Sequence, residues 1–401
     1  MESEVRLKNT GLRGVKVADT KISYIDGENG ILIYRGYRIE DLAKRSSFAE
    51  TAWLLLEGTL PTKDELAQFN TKIVAARQIP DFVSDALKRL PKRAHPMDIL
   101  QATVALLGMA DPDLQVETKE ANLRKATRLI ARLPVVIAAW HRIRNDLEPL
   151  PSDDNLPHAA NFLWQLSGKK PDEEMARDLD ICLVLHADHT FNASTFACRE
   201  VVSTQAHMYA GVSAGVGALS GSLHGGANAR VMKMLLEVEA LVKAEDDVEK
   251  WVKERLEKGE KIMGMGHAVY KTIDPRSTIL KQMSLELGRK TGHENWYRLL
   301  TKIDEVGERE FAKQGKANIK SNVDFYSGSV YSMMGIPTDL MTPIFAISRV
   351  AGWCAHIIEE KFAEAQGKPA LYRPSAEYVG DYCGPIGCTF EPLAERKSPS
   401  S

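Results

Sequence analysis

The feature that most constrains the fold of this chain is a helical spacing of apolar residues, which recurs from residue 48 onward. The segments with this spacing are residues 48–58, 62–77, 95–110, 120–144, 154–168, 171–189, 193–221 and 343–363. The second segment opens with Thr62 and has Glu65 three positions later, which is the pattern of a helix capping box. Residues 22–26 and 31–36 differ, because they are rich in β-forming residues and flank a GENG turn. The sequence therefore predicts a mainly α fold with one short N-terminal β-hairpin.

The charge and composition of the chain argue against some classes of partner. The formal net charge is −2, and 44% of the 401 residues are hydrophobic, which is ordinary for a globular protein. The chain lacks the excess of positive charge that would favour binding to nucleic acid or to a membrane surface. The N-terminal stretch MESEVRLKNTGLRG contains two acidic residues and no apolar run, unlike a secretory signal or a transit peptide. We therefore expect a cytoplasmic protein that acts on small molecules or on protein partners.

A chain of this length is expected to form two domains or one large domain with an inserted lobe. Glycine-rich segments at residues 221–226 and 328–337 flank a charged helical stretch. We therefore predict a large domain formed by residues 1–225 and 336–401, and a small domain formed by residues 226–335. Flexible joints of this kind let a cleft close over a substrate. The alternative is that these glycines only make turns and close helix contacts.

The five cysteines include no CxxC pair. An odd number without such pairs argues against a disulfide framework and against a zinc ribbon. Cys383 and Cys388 flank a GPIG turn near the C-terminus, so a local disulfide and a reduced pair are both open. We expect the reduced pair, because the cytosol keeps thiols reduced.

A glycine-rich turn, GSLHGGAN, places His224 directly before an apolar helical stretch. Gly225 and Gly226 allow the backbone to come close to a ligand. The helix that follows points its N-terminal N–H groups and its positive dipole end toward the histidine, which disfavours the imidazolium form. Two interpretations stay open: a neutral hydrogen-bond donor in a functional site, and a histidine in a structural turn.

Two further segments carry groups that could take part in chemistry. In GMGHAVYKTIDPRS, glycines precede His267, and Lys271 and Arg276 follow it, which suits phosphate or carboxylate groups. The alternative is that DPR is only a turn. In SNVDFYSG, Asp324 stands between Val323 and Phe325, and apolar surroundings raise the pKa of a carboxylate and make it a better base. The alternative there is a helix cap.

The segment LHADHTFNAST has a histidine–aspartate–histidine spacing that could suggest a metal site. A metallohydrolase of the HxHxDH type would need a further histidine where this chain has Val184. We therefore predict no metal site, and we expect two of the three positions to serve helix packing, with His189 facing a cleft. We also expect no serine-hydrolase, dinucleotide-binding or P-loop site, and neither GxGxxG nor GKS or GKT occurs.

Taken together, these motifs resemble the citrate synthase family. LIYRGYRIEDLA, LLEGTLPTKDEL and HPMD resemble that family's N-terminal segments. HADHTFNAST, GSLHGGAN, GMGHAVYKTIDPR, NVDFYSG and RVAGWCAHIIEE resemble its core. The motifs follow one another in the family's order and spacing and cover nearly the whole chain, so the resemblance is specific.

The resemblance implies an almost all-α homodimer whose large and small domains enclose a catalytic cleft. It implies the condensation of acetyl-CoA with oxaloacetate and water, which gives citrate and free coenzyme A. By resemblance, Asp324 takes the methyl proton, His224 hydrogen-bonds the thioester oxygen as the enol forms, and His267 polarises and protonates the oxaloacetate carbonyl. No permanently bound cofactor is implied, since the coenzyme A thioester is a co-substrate.

The resemblance also implies how oxaloacetate, a dicarboxylate, is bound. His189, Arg276 and Arg349 match the family's substrate-binding positions. Arg373, in LYRPSAEY, matches a position that reaches into the site of the partner subunit. The planar fork of arginine suits bidentate capture of a carboxylate.

For coenzyme A, Lys271 matches a basic position used for the phosphates, and Lys316 is a second candidate. The backbone at Gly264 and Gly266 is expected to approach the adenine. The nearest alternative is 2-methylcitrate synthase, which uses propionyl-CoA with the same residues, because one methylene is worth only ~1–3 kcal/mol of discrimination. A non-catalytic helical regulator and a metal-dependent hydrolase are the alternatives from other classes.

Overall fold

The computed structural model describes residues 11, 12, 14–242, 245–380, 384 and 387–396. In these residues the chain forms one small sheet and sixteen α-helices. The strands are β1 (Ser23–Asp26), β2 (Ile31–Tyr34) and β3 (Tyr37–Arg38). The helices are α1 (Ile39–Arg45), α2 (Phe48–Glu57), α3 (Lys63–Ala76), α4 (Asp81–Arg89), α5 (Pro96–Met109), α6 (Lys119–Arg144), α7 (His158–Ser167), α8 (Glu173–His186), α9 (Ala193–Ser203), α10 (Met208–Ser220), α11 (Ala227–Leu241), α12 (Glu245–Glu257), α13 (Pro275–Thr291), α14 (Glu294–Lys313), α15 (Val323–Met333) and α16 (Met341–Lys361). The predicted mainly α fold with an N-terminal hairpin is confirmed.

Two details of the predicted elements differ in the structure. The segment 193–221, predicted as one helix, forms α9 and α10, and the backbone between them turns at Gln205 with a left-handed φ of 68°. The hairpin carries an additional short strand, β3, which pairs with β2 in an antiparallel sense. The predicted capping box at the start of α3 is present, since the side chain of Thr62 and that of Glu65 each accept a backbone N–H from the other residue.

Helix α16 is the centre of the core. Every one of its residues except Phe345 is buried, and it packs against α2, α6, α8, α9 and α10. By length and composition alone, Thr338–Lys361 is the one described helix that could cross a membrane, but 89% of its apolar window is buried inside the protein. Burial on all sides explains its apolar composition, because no face of the helix meets water.

Helices α11 to α15 form a second group. The most extensive contacts of α13 are with α14 and α15, and those of α12 are with α14. Helix α11 packs on α15 and also reaches α16. The group covers the range predicted for the small domain, and the division into two domains stays a prediction.

The cysteines differ in part from expectation. Cys182, Cys198 and Cys354 are buried and free, and burial raises the pKa of each thiol. Cys388 is disulfide-bonded, whereas we expected it to be reduced. Cys383, the other cysteine at the predicted GPIG turn, lies outside the described residues.

Candidate active site

Four segments singled out in the sequence come together between the helices. They are the turn after α8 with His189, the turn before α11 with His224, the loop before α13 with His267, and the first turn of α15 with Asp324. The imidazole rings of His189 and His267 lie 5.3 Å apart, centroid to centroid. Besides burial, the guanidinium of Arg349 acts on the pKa values of His189, His224 and Asp324. These groups therefore share one site.

The tautomer of His224 follows from its hydrogen bonds. The backbone N–H of Ser194 donates to His224 Nε2 over 3.1 Å, and Ser194 Oγ lies 2.8 Å from the same nitrogen. A backbone amide can only donate, so Nε2 must be the unprotonated ring nitrogen. In the neutral imidazole the proton is then on Nδ1, which keeps its N–H for another acceptor.

His224 is neutral over the physiological pH range. Burial, together with the nearby Arg349 cation, lowers its pKa to about 4. The sequence suggested that the helix after the glycine turn, α11, supplies the N-terminal N–H group. In the structure the amide that binds the imidazole belongs to Ser194, in the first turn of α9. This contact is non-local, and sequence reasoning missed Ser194.

His267 has the complementary tautomer. The backbone N–H groups of Val269 and Tyr270 donate to His267 Nδ1 over 3.0 and 3.1 Å. Nδ1 is therefore the acceptor, and Nε2 carries the proton of the neutral ring. Burial and the Arg276 cation lower the pKa of His267 to about 4, although Asp274 acts in the opposite direction. The site thus holds two neutral histidines, each with one fixed N–H donor.

Asp324 lies in the first turn of α15 but does not cap it. The cap is Asn322, whose side-chain oxygen accepts the backbone N–H of Asp324 over 2.9 Å. The interpretation of Asp324 as a helix cap is therefore wrong. Burial raises its pKa to about 6, even though Arg276 stabilises the charged form. A carboxylate with this pKa is a stronger base than one in water.

The segments that carry His267 and Asp324 are fastened together. Gly266 N–H donates to the Lys320 carbonyl over 2.8 Å, and Asn322 N–H donates to the Gly264 carbonyl over 2.9 Å. A Cβ atom at Gly264 would lie 2.9 Å from Phe325 Cα, and the φ of Gly264 is +77°. This glycine is therefore required by packing on α15, whatever else its backbone contacts.

At acidic pH, the activity of the site should depend on the ionisation of one group. A carboxylate acts as a base only when it is deprotonated, so an activity that uses Asp324 as its base should rise with pH through about 6. His224 and His267 have pKa values of about 4, so they should add no change between pH 7 and 8. Measurement of kcat/KM from pH 5 to 8.5 tests this. An additional transition between pH 7 and 8 would contradict the neutral histidines.

Arg349 projects from α16 into the site with its hydrogen-bonding capacity largely unused. Its Nε donates to the His186 carbonyl over 2.8 Å, while both terminal nitrogens are buried without a hydrogen-bond partner. Burial lowers its pKa to about 10. A Cβ atom at Gly352, one turn further along, would lie 2.3 Å from the Ala187 carbonyl oxygen, so this glycine allows α16 to approach the turn after α8. The two free nitrogens match the fork that binds a carboxylate.

Arg276 is a second buried guanidinium, and it has a partner. Its Nε and Nη2 bind the two oxygens of Asp274 over 3.0 and 2.7 Å. Asp274 also accepts the backbone N–H of Val323 over 3.3 Å, which ties it to the helix that carries Asp324. Burial would raise the pKa of Asp274, but Arg276 outweighs this effect and holds it below its ordinary value. Sequence reasoning missed Asp274, although an Asp before Pro275 at a helix start is a capping signal.

His189 is buried beside His267, and its Nε2 lies 3.3 Å from the Tyr270 hydroxyl. Burial and the Arg276 cation hold its pKa well below the ordinary value. The preceding residue, Asp188, faces away into a buried cluster, where Ser23 and His356 contact its carboxylate. His186 packs inside the core and bonds the Cys182 carbonyl.

Three of the predicted binding residues lie outside this buried site in the isolated chain. Arg373 is exposed in the extended segment after α16. Lys271 is exposed and forms an ion pair with Glu28. Lys316 is exposed, and its Nζ lies 3.3 Å from the Gln314 side-chain oxygen.

Two other kinds of site find no support in the described residues. The described residues contain no group of three or more His, Cys, Asp and Glu side chains that could hold a metal ion. The pattern GVSAG at residues 211–215 has the spacing of a serine-hydrolase nucleophile, but it lies inside α10. The Ser213 hydroxyl donates to the Gln101 carbonyl where α10 packs on α5. The element that precedes α10 is helix α9, whereas a serine-hydrolase nucleophile follows a strand.

Comparison with known proteins gives a consistent picture. A family model described as the C-terminal domain of citrate synthase matches residues 11–375. The citrate synthase of Synechocystis sp. is 42% identical over 386 residues, which are 96% of this chain and 93% of the relative. The 2-methylcitrate synthase of Shewanella oneidensis is 38% identical over 384 residues, which are 95% of this chain and 97% of the relative.

The fold is also that of solved citrate synthases. The structure of citrate synthase from Thermoplasma acidophilum, a ternary complex with carboxymethyl coenzyme A and oxaloacetate, superposes with a TM-score of 0.85 at 34% identity. The match covers 96% of this chain and 99% of that chain. The chain belongs to the citrate synthase family.

Proposed function

We propose that the protein condenses acetyl-CoA with oxaloacetate and water, which gives citrate and free coenzyme A. The observation that carries the proposal is the combination of one base and two fixed donors. Asp324 has a raised pKa, while His224 and His267 are neutral and each directs one N–H away from its backbone partners. A thioester methyl is a very weak acid, so its removal needs a base together with stabilisation of the enol oxygen.

In the first step Asp324 takes a proton from the methyl group of acetyl-CoA. His224 Nδ1–H donates to the thioester oxygen, where negative charge develops. A neutral imidazole suits this role, because its N–H is held in place before the reaction and needs no reorganisation. Burial in a site with low dielectric strengthens the hydrogen bond.

In the second step the enol carbon attacks the carbonyl carbon of oxaloacetate. His267 Nε2–H polarises this carbonyl and gives its proton to the oxygen as the carbon–carbon bond forms, and the proton that Asp324 removed from the methyl group then restores the neutral imidazole. Water then hydrolyses the citryl-CoA thioester, which releases citrate and the free thiol of coenzyme A. Closure of residues 226–335, the proposed small domain, over the large domain would exclude bulk water during condensation.

Oxaloacetate carries two carboxylates, which we assign to the arginines. The two unpartnered nitrogens of Arg349 would bind one carboxylate as a fork, and Arg276 with His189 would contribute further donors. We further propose that the protein is a homodimer in which the partner subunit's Arg373 completes the site. The exposure of this residue in the single chain supports that assignment.

Coenzyme A would lie against the more exposed side of the site. Lys271 and Lys316 are both exposed, and we assign them to its phosphate groups. Gly266 has φ +88° and only Ile319 near its missing Cβ, so the backbone offers an open face. Gly264 packs against Phe325 of α15, so of the two glycines Gly266 is the one with backbone open to the adenine. No permanently bound cofactor is needed, since coenzyme A leaves with each turnover.

Release of free thiol tests the proposed reaction. Purified protein receives oxaloacetate with acetyl-CoA, in the presence of EDTA, and a thiol-reactive dye follows coenzyme A. We expect oxaloacetate-dependent release that EDTA does not affect. No release would contradict the synthase function, and loss of activity in EDTA would favour a metal-dependent hydrolase.

The second candidate is 2-methylcitrate synthase, which the similarity to the Shewanella enzyme favours. The same assay with propionyl-CoA decides between them through the ratio of the two kcat/KM values. We expect acetyl-CoA to be preferred by about 10-fold or more, which is the discrimination available from one methylene. A preference for propionyl-CoA would identify a 2-methylcitrate synthase.

The shared site predicts recovery of activity in mixed dimers. Arg373→Ala and Asp324→Asn variants should each be inactive as homodimers. Mixing, partial unfolding and reassembly should restore partial activity, because a heterodimer has one site with both residues intact. Each variant reassembled alone is the control. If the mixture stays as inactive as the controls, Arg373 does not act on the partner subunit.

A further inference from the structure

The hairpin formed by β1 and β2 touches both histidine-bearing sides of the site. Its turn, residues 27–30, packs against the loop between His267 and α13. Its base, at Ser23 and Tyr34, contacts the segment that carries His189. About 13 Å of extended strand separates the base from the turn. The hairpin therefore spans the site from one histidine segment to the other.

At the turn, two glycines meet backbone carbonyls of the loop. A Cβ atom at Gly27 would lie 2.3 Å from the Val269 carbonyl oxygen. A Cβ atom at Gly30 would lie 2.8 Å from the Ile273 carbonyl oxygen. Between these contacts, Lys271 N–H donates to the Gly27 carbonyl over 2.9 Å. The approach is thus closer than any residue other than glycine allows.

This contact bears directly on His267. The loop from residue 266 to residue 274 contains no helix and no strand, and the side chains of Val269 and Ile273 are exposed. Its middle is held by the buried Tyr270 side chain and by the hairpin turn. The amides of Val269 and Tyr270 lie in this stretch, and they fix Nδ1 of His267 as the acceptor. A shift of the loop would loosen both hydrogen bonds.

At the base, the hairpin holds the other side of the site. Tyr34 Oη donates to the Asp188 carbonyl over 2.8 Å and accepts the Asp188 N–H over 3.1 Å. Ser23 Oγ binds the Asp188 carboxylate and accepts the Thr190 N–H over 3.1 Å. These bonds bracket His189 on both sides along the chain.

We propose that the β1–β2 hairpin is a positioning element of the active site, and that Gly27 is the residue through which it sets His267. The inference rests on the proposed function, because it concerns the polarisation of the oxaloacetate carbonyl. The hairpin belongs to the proposed large domain and the loop to the proposed small domain. The contact at Gly27 therefore links the position of His267 to the proposed large domain.

Gly27→Ala tests the proposal, with Gly367→Ala as the matched control. The new methyl group at position 27 meets the Val269 carbonyl, whereas a Cβ at Gly367 meets nothing within 4 Å, and neither glycine has a left-handed φ. We expect Gly27→Ala to lower kcat by about ten- to a hundred-fold, because a misplacement of 1 Å can cost about 10²-fold. The infrared carbonyl band of bound oxaloacetate should move toward its frequency in free oxaloacetate. Gly367→Ala should leave kcat and the band unchanged.

A surface charge pair provides a second test, because its substitutions lie at exposed side chains and disturb no core packing. Glu28 at the hairpin turn pairs with Lys271 of the loop, and both side chains are more than half exposed. Glu28→Lys should repel the loop and shift the carbonyl band in the same direction as Gly27→Ala, by less. The double variant Glu28→Lys with Lys271→Glu should restore the band. The complex with oxaloacetate alone is used, so that any role of Lys271 in coenzyme A binding does not affect the result.

The outcomes distinguish a failure of the proposed function from a failure of the hairpin proposal. Wild-type protein that releases no thiol from either thioester contradicts the proposed function. If the wild-type protein is active and the carbonyl band is unchanged in Gly27→Ala, the hairpin proposal alone is overturned. If Gly27→Ala does not fold, the Glu28→Lys series decides, and an unchanged band in that series then overturns the proposal.

Discussion

Asp324→Asn is expected to lower kcat by about 10²–10⁴-fold, which is the usual contribution of a general base. Asparagine keeps the size of the side chain but cannot take the methyl proton. Burial raises the pKa of Asp324 to about 6, so at neutral pH the wild-type carboxylate is charged and available. Oxaloacetate should bind at least as tightly as in the wild type, since a negative charge near the dicarboxylate has been removed.

The measurement combines steady-state thiol release with calorimetric titration of oxaloacetate. Asp85→Asn is the matched control, because Asp85 is exposed on α4 and its substitution should change neither quantity. Unchanged turnover in Asp324→Asn would show that another group removes the proton. Weaker binding of oxaloacetate with unchanged turnover would assign Asp324 to substrate binding instead.

Arg349→Met is expected to weaken oxaloacetate binding by about 100-fold or more, because each charge-assisted hydrogen bond is worth about 1.5–3 kcal/mol. The unliganded protein should nevertheless become more stable. Burial lowers the pKa of Arg349 to about 10, so folding disfavours the cation. Its two terminal nitrogens have no hydrogen-bond partner that offsets this cost, and methionine fills a similar volume.

Thermal unfolding with and without oxaloacetate measures both effects. The melting temperature of unliganded Arg349→Met should rise, and the stabilisation by oxaloacetate should disappear. Arg199→Met is the contrasting control, because Arg199 is equally buried but pairs with Glu359 and Glu360 over 2.7 and 2.6 Å. Its loss removes the buried cation that neutralises these two carboxylates and should cost about 3–5 kcal/mol. A fall in stability of Arg349→Met similar to that of Arg199→Met would show that Arg349 is a structural residue.

The resemblance to a known family identified the candidate residues, and the structure adds what those residues require from their surroundings. His224 and His267 were selected because each stands in a glycine-rich turn, which is a local pattern. Their opposite tautomers depend on amides of Ser194, Val269 and Tyr270. Ser194 lies thirty positions from His224 in the chain, so no local pattern contains this information.

The sequence by itself determined the class of fold, the position of most helices and the capping box of α3. These features depend on residues within a few positions of one another, where spacing and side-chain chemistry act directly. The break between α9 and α10 was missed, because the apolar spacing continues through the turn at Gln205. There the left-handed backbone, and not the hydrophobic pattern, ends the helix.

Only the tertiary structure decided the chemistry of the site. The raised pKa of Asp324, the unpartnered nitrogens of Arg349 and the pairing of Arg276 with Asp274 all depend on burial. Burial at these positions is produced by helices that are distant in the sequence, and it weakens solvation while it strengthens every remaining interaction. The sequence therefore identified the candidate residues. The packing of α8, α11, α13, α15 and α16 determined their protonation states and left some of their hydrogen-bond donors without a partner.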